Sequence, residues 1–297
     1  MPDHTPARPV KPPWMKIRLR TGDDYKFIRD IVKSHALHTV CEEARCPNVY
    51  DCWNRRTATI MILGDTCTRA CGFCAVKTGR PGPVDEAEPL RTAAAVKKMG
   101  LKHVVLTSVD RDDLKKDFGA AIWAVTIEAI HRQVPGCAVE ALTPDFQGYR
   151  PALQEVFDAR PEIFSHNVEC VERISRAVRT QADWERSLAV LRQSIDFGLL
   201  TKTGLMVGLG ETKSEVLETM RQVAGLGVKI FTVGQYLQPT AEHRPVERYV
   251  ELEEFDEYRQ TGLEMGFRVV ESGPLVRSSF HADEQAKLIN EDNRERE

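Results

Sequence analysis

With 297 residues, 42% of them hydrophobic and 29% charged, the chain has the composition of a globular protein, with room for one α/β barrel-like domain with extensions or for two average domains. A net charge of −3 gives no basic footprint of the kind a general nucleic-acid binder needs, and no apolar run reaches the roughly 18 residues of a membrane helix. Neither nucleic acid nor a membrane span is therefore expected.

In chain order, the opening MPDHTPARPVKPPW has no apolar core for a secretory signal, and its prolines and early Asp are unlike an Arg/Ser-rich transit peptide. Residues 1–15 are expected to be a flexible tail, and the chain to be cytoplasmic. Residues 16–56 read as an N-terminal extension with one predicted helix, Asp24–Ser34, and a first group of cysteines. From residue 57 a rhythm begins. Apolar, β-branched runs at 57–64, 103–109, 137–144, 163–169, 204–210 and 229–236 predict strands. Helical spacing predicts helices over Pro89–Met99, Phe118–Gln133, 181–197 and 213–226. Six strands alternating with helices imply parallel βα units, too few for an eight-stranded barrel. The expected fold is a partial (β/α)6 barrel over 57–266, with extensions at 16–56 and 267–297, the latter ending in the charged EDNRERE. Chemistry in such folds sits at the C-terminal ends of the strands.

Six of the eight cysteines fall between residues 41 and 74. In a long chain without an export signal, such bunching fits metal or cluster ligation in a reducing compartment better than disulfides. Cys67, Cys71 and Cys74 form a C-x3-C-x2-C loop directly after the first strand of the rhythm. Three thiolates on one tight loop can hold three irons of a [4Fe–4S] cube and leave the fourth open to a ligand. The competing reading is a zinc knuckle short of one ligand. Cys41, Cys46 and Cys52 form a C-x4-C-x5-C array ahead of the barrel, which reads either as a second cluster site or as scattered buried cysteines. Cys137 and Cys170 lie on strands, away from both triplets, and read as ordinary buried cysteines.

The Cys67–Cys74 stretch resembles the signature of the radical S-adenosylmethionine (SAM) superfamily. The pair of triplets, with CPN at Cys46 and CW at Cys52, and the stretch RSSFHAD at 277–283 are similar to the lipoyl synthases, as are TSVDRDDL (107–114), KTGLMVGLGET (202–212) and GQYLQPT (234–240). The likeness covers roughly residues 16–286. Departures are Phe280 where Tyr is usual, Cys170 after HNVE, and KKDFGAAIW at 115–123. The resemblance implies a radical SAM partial barrel with two [4Fe–4S] clusters and SAM as consumed co-substrate. One cluster, on Cys67, Cys71 and Cys74, binds and cleaves SAM; the other, on Cys41, Cys46, Cys52 and Ser279, donates sulfur. The implied reaction inserts two sulfur atoms, at C6 and C8, into a protein-bound octanoyl group to give the lipoyl cofactor. The implied partners are an octanoylated carrier domain (a 2-oxoacid dehydrogenase E2 or the glycine-cleavage H protein), a ferredoxin- or flavodoxin-type electron donor and an iron–sulfur carrier for cluster repair.

The same resemblance places Phe73 by the adenine of SAM and favours Glu140, Asn167 and Glu169 as further SAM contacts. On the residues alone, Phe73 could equally be a core aromatic. Glu140, Asn167 and Glu169 could instead close the barrel through a structural hydrogen-bond network. In IFSHNVE, Ser165, Asn167 and Glu169 share one strand face by period two. Asp110–Asp113 could orient a ligand or cap the next helix. Gly208-Leu209-Gly210-Glu211 reads as a tight strand-to-helix turn, and no histidine pair suggests a metal. Two other functions remain in view: a biotin synthase-like sulfur inserter, which lacks the N-terminal array and the RSS motif, and a non-catalytic metal-binding module that docks a partner.

Overall fold

The computed structural model describes residues 10–16, 21–44, 46–55 and 57–279. Most of the expected N-terminal tail, Phe280, His281, Asp283 and the charged C-terminal end lie outside the described residues. At the near end of that tail, Pro13–Met15 forms a 3-10 turn with Met15 buried. Helix α1 (Asp23–Ser34) buries Ile28, Ile31 and Val32, a one-face spacing, with Asp23 and Asp24 at its positive end and Lys33 at its negative end. Strand β1 (His38–Thr39) and helices α2 (Val40–Glu43) and α3 (Val49–Asn54) follow; the Thr39 hydroxyl caps α2 by accepting from the Glu42 amide.

The barrel proper runs β2 (Thr59–Ile62), a small parallel ribbon of β3 (Thr66–Cys67) and β4 (Lys77–Thr78), α4 (Glu88–Met99), β5 (His103–Ser108), α5 (Ala120–Gln133), β6 (Ala138–Leu142), α6 (Arg150–Asp158), β7 (Ile163–Ser165), α7 (Glu172–Val178), α8 (Trp184–Asp196), β8 (Thr201–Val207), α9 (Lys213–Leu226), β9 (Ile230–Gln235), α10 (Leu252–Glu264) and β10 (Val269–Gly273). Local sequence explains the boundaries. Helix α4 starts on Pro89 and ends on the left-handed Gly100. Helix α9 opens with a capping box of Thr212 and Glu215 and ends on Gly227.

The main sheet has the order β1-β2-β5-β6-β7-β8-β9-β10, with β1 antiparallel and every other neighbour parallel. The order is linear, so the barrel is partial, with β1 and β10 as its two edges. Apolar side chains pack in two clusters. One takes in α1, α3, β2, β5 and β6; the other gathers around β8, β9, α9 and α10.

All six expected strands are present, and a seventh parallel strand joins them. The seventh, β10, lies within the stretch 267–297 read as an extension. Only Val269 and Val270 are apolar in it, and its pairing with β9, from Val269↔Ile230 to Gly273↔Gly234, makes it a strand. Strand β8 begins at Thr201, three residues before the predicted start, which brings Lys202 into the sheet. Strand β7 stops at Ser165. Beyond it the chain turns off, and only Glu169 rejoins the sheet, as an isolated bridge to Leu205 with φ +67°. The shared face expected for Ser165, Asn167 and Glu169 therefore does not exist; Ser165 is fully buried.

Close strand approach depends on Gly204. A methyl group there would lie 2.0 Å from the Thr232 Oγ1 and 3.0 Å from its carbonyl oxygen on β9. Gly204→Ala should cost about 1–3 kcal/mol by overpacking. In urea unfolding it should lower the midpoint and leave the slope unchanged.

Candidate functional site

Parallel strands deliver their following loops to one end of the sheet. The Cys67–Cys74 loop there is fixed through Arg69, whose side chain is buried inside it. Arg69 donates from Nε and Nη2 to Asp112 (2.7 and 2.9 Å) and from Nη2 to Asp145 (2.7 Å), and its Nη1 lies 3.2 Å from Asp110. Asp110 and Asp112 follow β5, and Asp145 follows β6. Asp145 also accepts from Arg186 Nε at 2.8 Å. Burial would raise the Asp145 carboxyl, yet Arg69 holds it below the usual range. Burial pushes Asp110 up to about 6, against the pull of Arg69. The Asp110 and Arg69 amides both donate to Cys67 Sγ, at 3.3 and 3.4 Å.

Further bonds hold the rest of this loop. The Gly72 amide donates to Val178 O (2.8 Å), Gly72 O accepts from the Arg244 amide (2.9 Å), and His243 Nε2 lies 2.9 Å from Cys74 O. Arg244 donates to Ala177 O, and Tyr236 Oη to Arg244 O. Side chains and main-chain groups after β5, β6, β7 and β9 thus clamp one eight-residue loop, Cys67 to Cys74.

The other triplet sits across the site. Cys41 is on α2, Cys46 in the turn after it and Cys52 on α3. The Cys46 amide donates to Cys41 O (3.1 Å) and the Cys52 amide to Asn48 O (2.9 Å). Asn48 in turn donates through Nδ2 to Leu275 O at 2.6 Å, joining this region to the segment after β10. In that segment Ser278 is held twice: its hydroxyl accepts from Asn167 Nδ2 (2.8 Å) and its carbonyl from Lys202 Nζ (2.6 Å).

One cavity of about 490 Å³ collects these groups. Its wall includes Cys67, Cys71 and Cys74 with Phe73, Cys41 and Cys46, Asn167 and Glu169, and Ser278 and Ser279. Cys52 is not in the wall, but its thiol lies close enough to those of Cys41 and Cys46 for charge on either to raise it further. Phe73 lines the cavity while packing on the second apolar cluster.

Glu140 is a correction. It is fully buried and not in the cavity wall: Lys202 Nζ lies 2.9 Å from its Oε1, and His103 Nε2 3.8 Å from its Oε2. Its carboxylate belongs to the barrel interior, where a charge needs a fixed counter-charge.

Among the described residues, nothing hydrogen-bonds the buried Asn167 Oδ1, which leaves it able to accept. Glu169 is held by backbone bonds on both sides, its amide to Gly204 O and its carbonyl from the Met206 amide. A glutamate at positive φ is a strained placement of the kind found at ligand sites. Burial raises its carboxyl, with Arg179 and Asn167 pulling the other way. The sequence reading missed Arg69, Asp145, Arg179, Arg244 and Asn48. Only Arg69, a charge inside a ligand loop, had a local signal. The Asp110–Asp113 run does not cap a helix: Asp112 holds Arg69 and Asp113 pairs with Arg111.

The donor set suits iron–sulfur clusters. All eight cysteines are free thiols. Among the described residues, no three His, Cys, Asp or Glu side chains converge as they would around one metal ion. Soft thiols spread along a loop match a larger cluster.

Comparison with known proteins agrees. A family model described as the radical SAM superfamily matches residues 61–223, and one described as the N-terminal domain of lipoyl synthase of the radical SAM family matches residues 3–46. The chain is 58% identical over 283 residues to a protein of Rubrobacter xylanophilus named lipoyl synthase, covering 95% of this chain and 88% of the relative. It is 53% identical to one from Symbiobacterium thermophilum (93% and 87% covered) and 50% identical to a mitochondrial one from Nematostella vectensis (94% and 96%). Among solved structures, SuiB of Streptococcus suis bound to S-adenosylmethionine superposes with a TM-score of 0.60 at 11% identity, covering 77% of this chain and 55% of that one. Methylornithine synthase superposes with a TM-score of 0.54 at 14% identity, covering 84% and 83%. These two likenesses speak to the fold.

Burial pushes the thiols of Cys41 and Cys71 up to about 12 and that of Cys74 up to about 11, and raises those of Cys46, Cys52 and Cys67. Without iron they stay protonated at neutral pH. Cys71 and Cys74 should then alkylate at pH 8 some tens of fold more slowly than an unperturbed thiol, since thiolate falls about tenfold per pKa unit while nucleophilicity recovers about half of that loss logarithmically. The rate should climb steadily from pH 7 to 9. Iodoacetamide labelling followed by peptide mass spectrometry measures it; labelling at the free-thiol rate would contradict the burial argument.

Proposed function

The chain belongs to the lipoyl synthase family of radical SAM enzymes, and from that premise we propose that its two cysteine triplets hold the two clusters across one shared cavity. The family's reaction is sulfur insertion at C6 and C8 of a protein-bound octanoyl group, and the cofactors are SAM and two [4Fe–4S] clusters. An octanoylated carrier protein is the substrate. In this proposal Cys67, Cys71 and Cys74 hold the SAM-binding cluster, and Cys41, Cys46, Cys52 and Ser279 the auxiliary one. When bound, SAM and the clusters supply the hydrogen-abstracting radical and the sulfur.

The observation that carries this reading is the common wall: Cys67, Cys71, Cys74, Cys41, Cys46 and Ser279 line one cavity of about 490 Å³. A radical reaction demands such proximity, because the two reacting centres must meet before anything else intervenes. Arg69 keeps the SAM-side loop from shifting. Asn167 Oδ1 and Glu169 offer acceptors for the polar portion of SAM, and Phe73 an apolar face for its adenine. Arg179, bonded to Val168 O at 3.0 Å and lining the same cavity, sets a positive charge near Cys71 and Glu169. Ser279, an oxygen donor among thiolates, makes its iron the easier one to open.

The finer partners belong to the same proposal. A 2-oxoacid dehydrogenase E2 or the glycine-cleavage H protein presents the octanoyl group, a ferredoxin- or flavodoxin-type protein supplies electrons, and an iron–sulfur carrier rebuilds the auxiliary site. The chemistry supports these roles, since it consumes electrons and sulfur that the chain does not make. No described helix is long and apolar enough to cross a membrane, and a cytoplasmic location suits the free thiols.

Two outcomes test the assignment. Anaerobic reconstitution should give roughly eight irons per chain, four per cube. The variant with Cys67, Cys71 and Cys74 all changed to Ala should retain about half the iron and cleave no SAM. The variant with Cys41, Cys46 and Cys52 changed to Ala should also retain about half, cleave SAM measurably and form no lipoyl product. Loss of all iron from either variant would break the two-site reading. For Ser279, Ala should make half of the iron labile to a chelator while sparing SAM cleavage. Ser279→Cys should give a sturdier site that releases sulfur poorly in a single turnover. Wild-type yields from both would remove Ser279 from the ligand set.

A further inference from the structure

Lys202 and Glu140 are both fully buried in the barrel interior, 2.9 Å apart, on strands β8 and β6. A buried ion pair is weak evidence for stability. Two apolar side chains of like volume often do as well or better, because they have no charge to desolvate. Its presence here calls for a role that apolar residues would not fill. The geometry supplies one. Lys202 Nζ also donates to the carbonyl of Ser278 at 2.6 Å, across 76 residues of sequence. An ammonium has three donors; one goes to Glu140 Oε2 at 3.0 Å, with Oε1 beside it as an ion-pair contact at 2.9 Å. Glu140 thus aims the lysine.

We propose that the Lys202–Glu140 pair is an interior latch that seats the segment after β10, making both positioning residues for Ser279. The latch grips the main chain of Ser278, so it fixes the neighbouring residue without using that residue's side chain. Two bonds from other directions complete the seat: Asn167 Nδ2 to the Ser278 hydroxyl (2.8 Å) and Asn48 Nδ2 to Leu275 O (2.6 Å). Gly234 on β9 is the floor beneath them. A methyl group there would lie 2.2 Å from Val276 O, so the segment rests directly on the sheet backbone. Of the three side chains that hold the segment, Lys202 alone brings full charge, and charge-assisted bonds are about twice as strong as neutral ones. It is therefore the bond whose loss the segment should feel most.

The latch rests on the reading above only in the use to which Ser279 is put; the seating of residues 275–279 stands by itself. Lys202→Met alone would strand the Glu140 charge and could unfold the barrel, so the informative variant is Lys202→Met with Glu140→Leu. If the pair were mere packing, this variant would match wild type in every respect. The latch predicts instead that global unfolding is unchanged or shifted up, while amide exchange over residues 275–279 of the anaerobically reconstituted protein speeds up about tenfold, the scale of one charge-assisted hydrogen bond. Iron release to a chelator should quicken for half of the iron, with SAM cleavage retained. Should the double apolar variant not fold, Lys202→Gln with Glu140→Gln keeps polarity without charge and is expected to show the same local loosening.

Unchanged exchange over 275–279 in whichever variant folds would overturn the latch. Ser279→Ala separates the two ideas. It leaves the latch intact, so slow exchange with labile iron supports both. Slow exchange with iron as firmly held as in wild type rejects Ser279 as a ligand and leaves the latch standing.

Discussion

Arg69 lies inside the loop that carries Cys67, Cys71 and Cys74, and three carboxylates reach it from the ends of two other strands. A guanidinium removed from water is costly unless its donors are matched in direction as well as charge. Asp112 takes it in a two-pronged grip, and Asp145, itself gripped by Arg186, takes the next donor. The loop can therefore adopt few positions other than the observed one without exposing buried charge on both sides. The positions of the three thiols follow from that, and so does the shape of the cavity wall they form.

The parallel sheet makes the arrangement possible. Because β2, β5, β6, β7, β8 and β9 point the same way, residues remote in sequence meet at one end. The two edges matter as much as the middle. Strand β1 leads into Cys41, and β10 leads into the segment that carries Ser279. One edge thus supplies the first cysteine triplet and the other supplies the serine, with Asn48 and Leu275 bonded across the gap. An incomplete barrel usually has to shield its open edges. Here the open side carries residues that line the cavity, Cys41, Cys46, Ser278 and Ser279 among them.

The sequence made some of this legible and not the rest, for physical reasons. The cysteine spacings and the alternation of strand and helix are local patterns, and local patterns survive in one dimension. Strand β10 did not, because Glu271, Ser272 and Gly273 carry little strand signal and depend on β9 for their conformation. The resemblance favours Glu140 as a ligand contact, and a charge on an apolar strand needs a partner in any case. The inference of a partner was sound, but the partner is Lys202, 62 residues away, and not an occupant of the cavity. Arg69 and Asp145 were invisible as a pair, since nothing within the loop predicts which distant carboxylate will face it. Asn167 and Glu169 reached the cavity by a route different from the expected one, through a chain that leaves the sheet after Ser165.

The contact between Asn48 and Leu275 spans 227 residues. A chain made from its N-terminus has its first cysteine triplet long before the segment that faces it exists. By contrast, the three carboxylates that hold Arg69 have all been made by residue 145. Vectorial synthesis therefore imposes an order. The Cys67–Cys74 loop can acquire its Arg69 anchors while the second half of the sheet is still unmade, with its bonds to Val178, His243 and Arg244 following, whereas the Asn48–Leu275 tie of the Cys41–Cys52 region must wait until residue 275 has been made. Until then three thiols stand on an unfinished edge, open to oxidation, and a cluster held there as proposed would have to be loaded after the segment around Leu275 has been made.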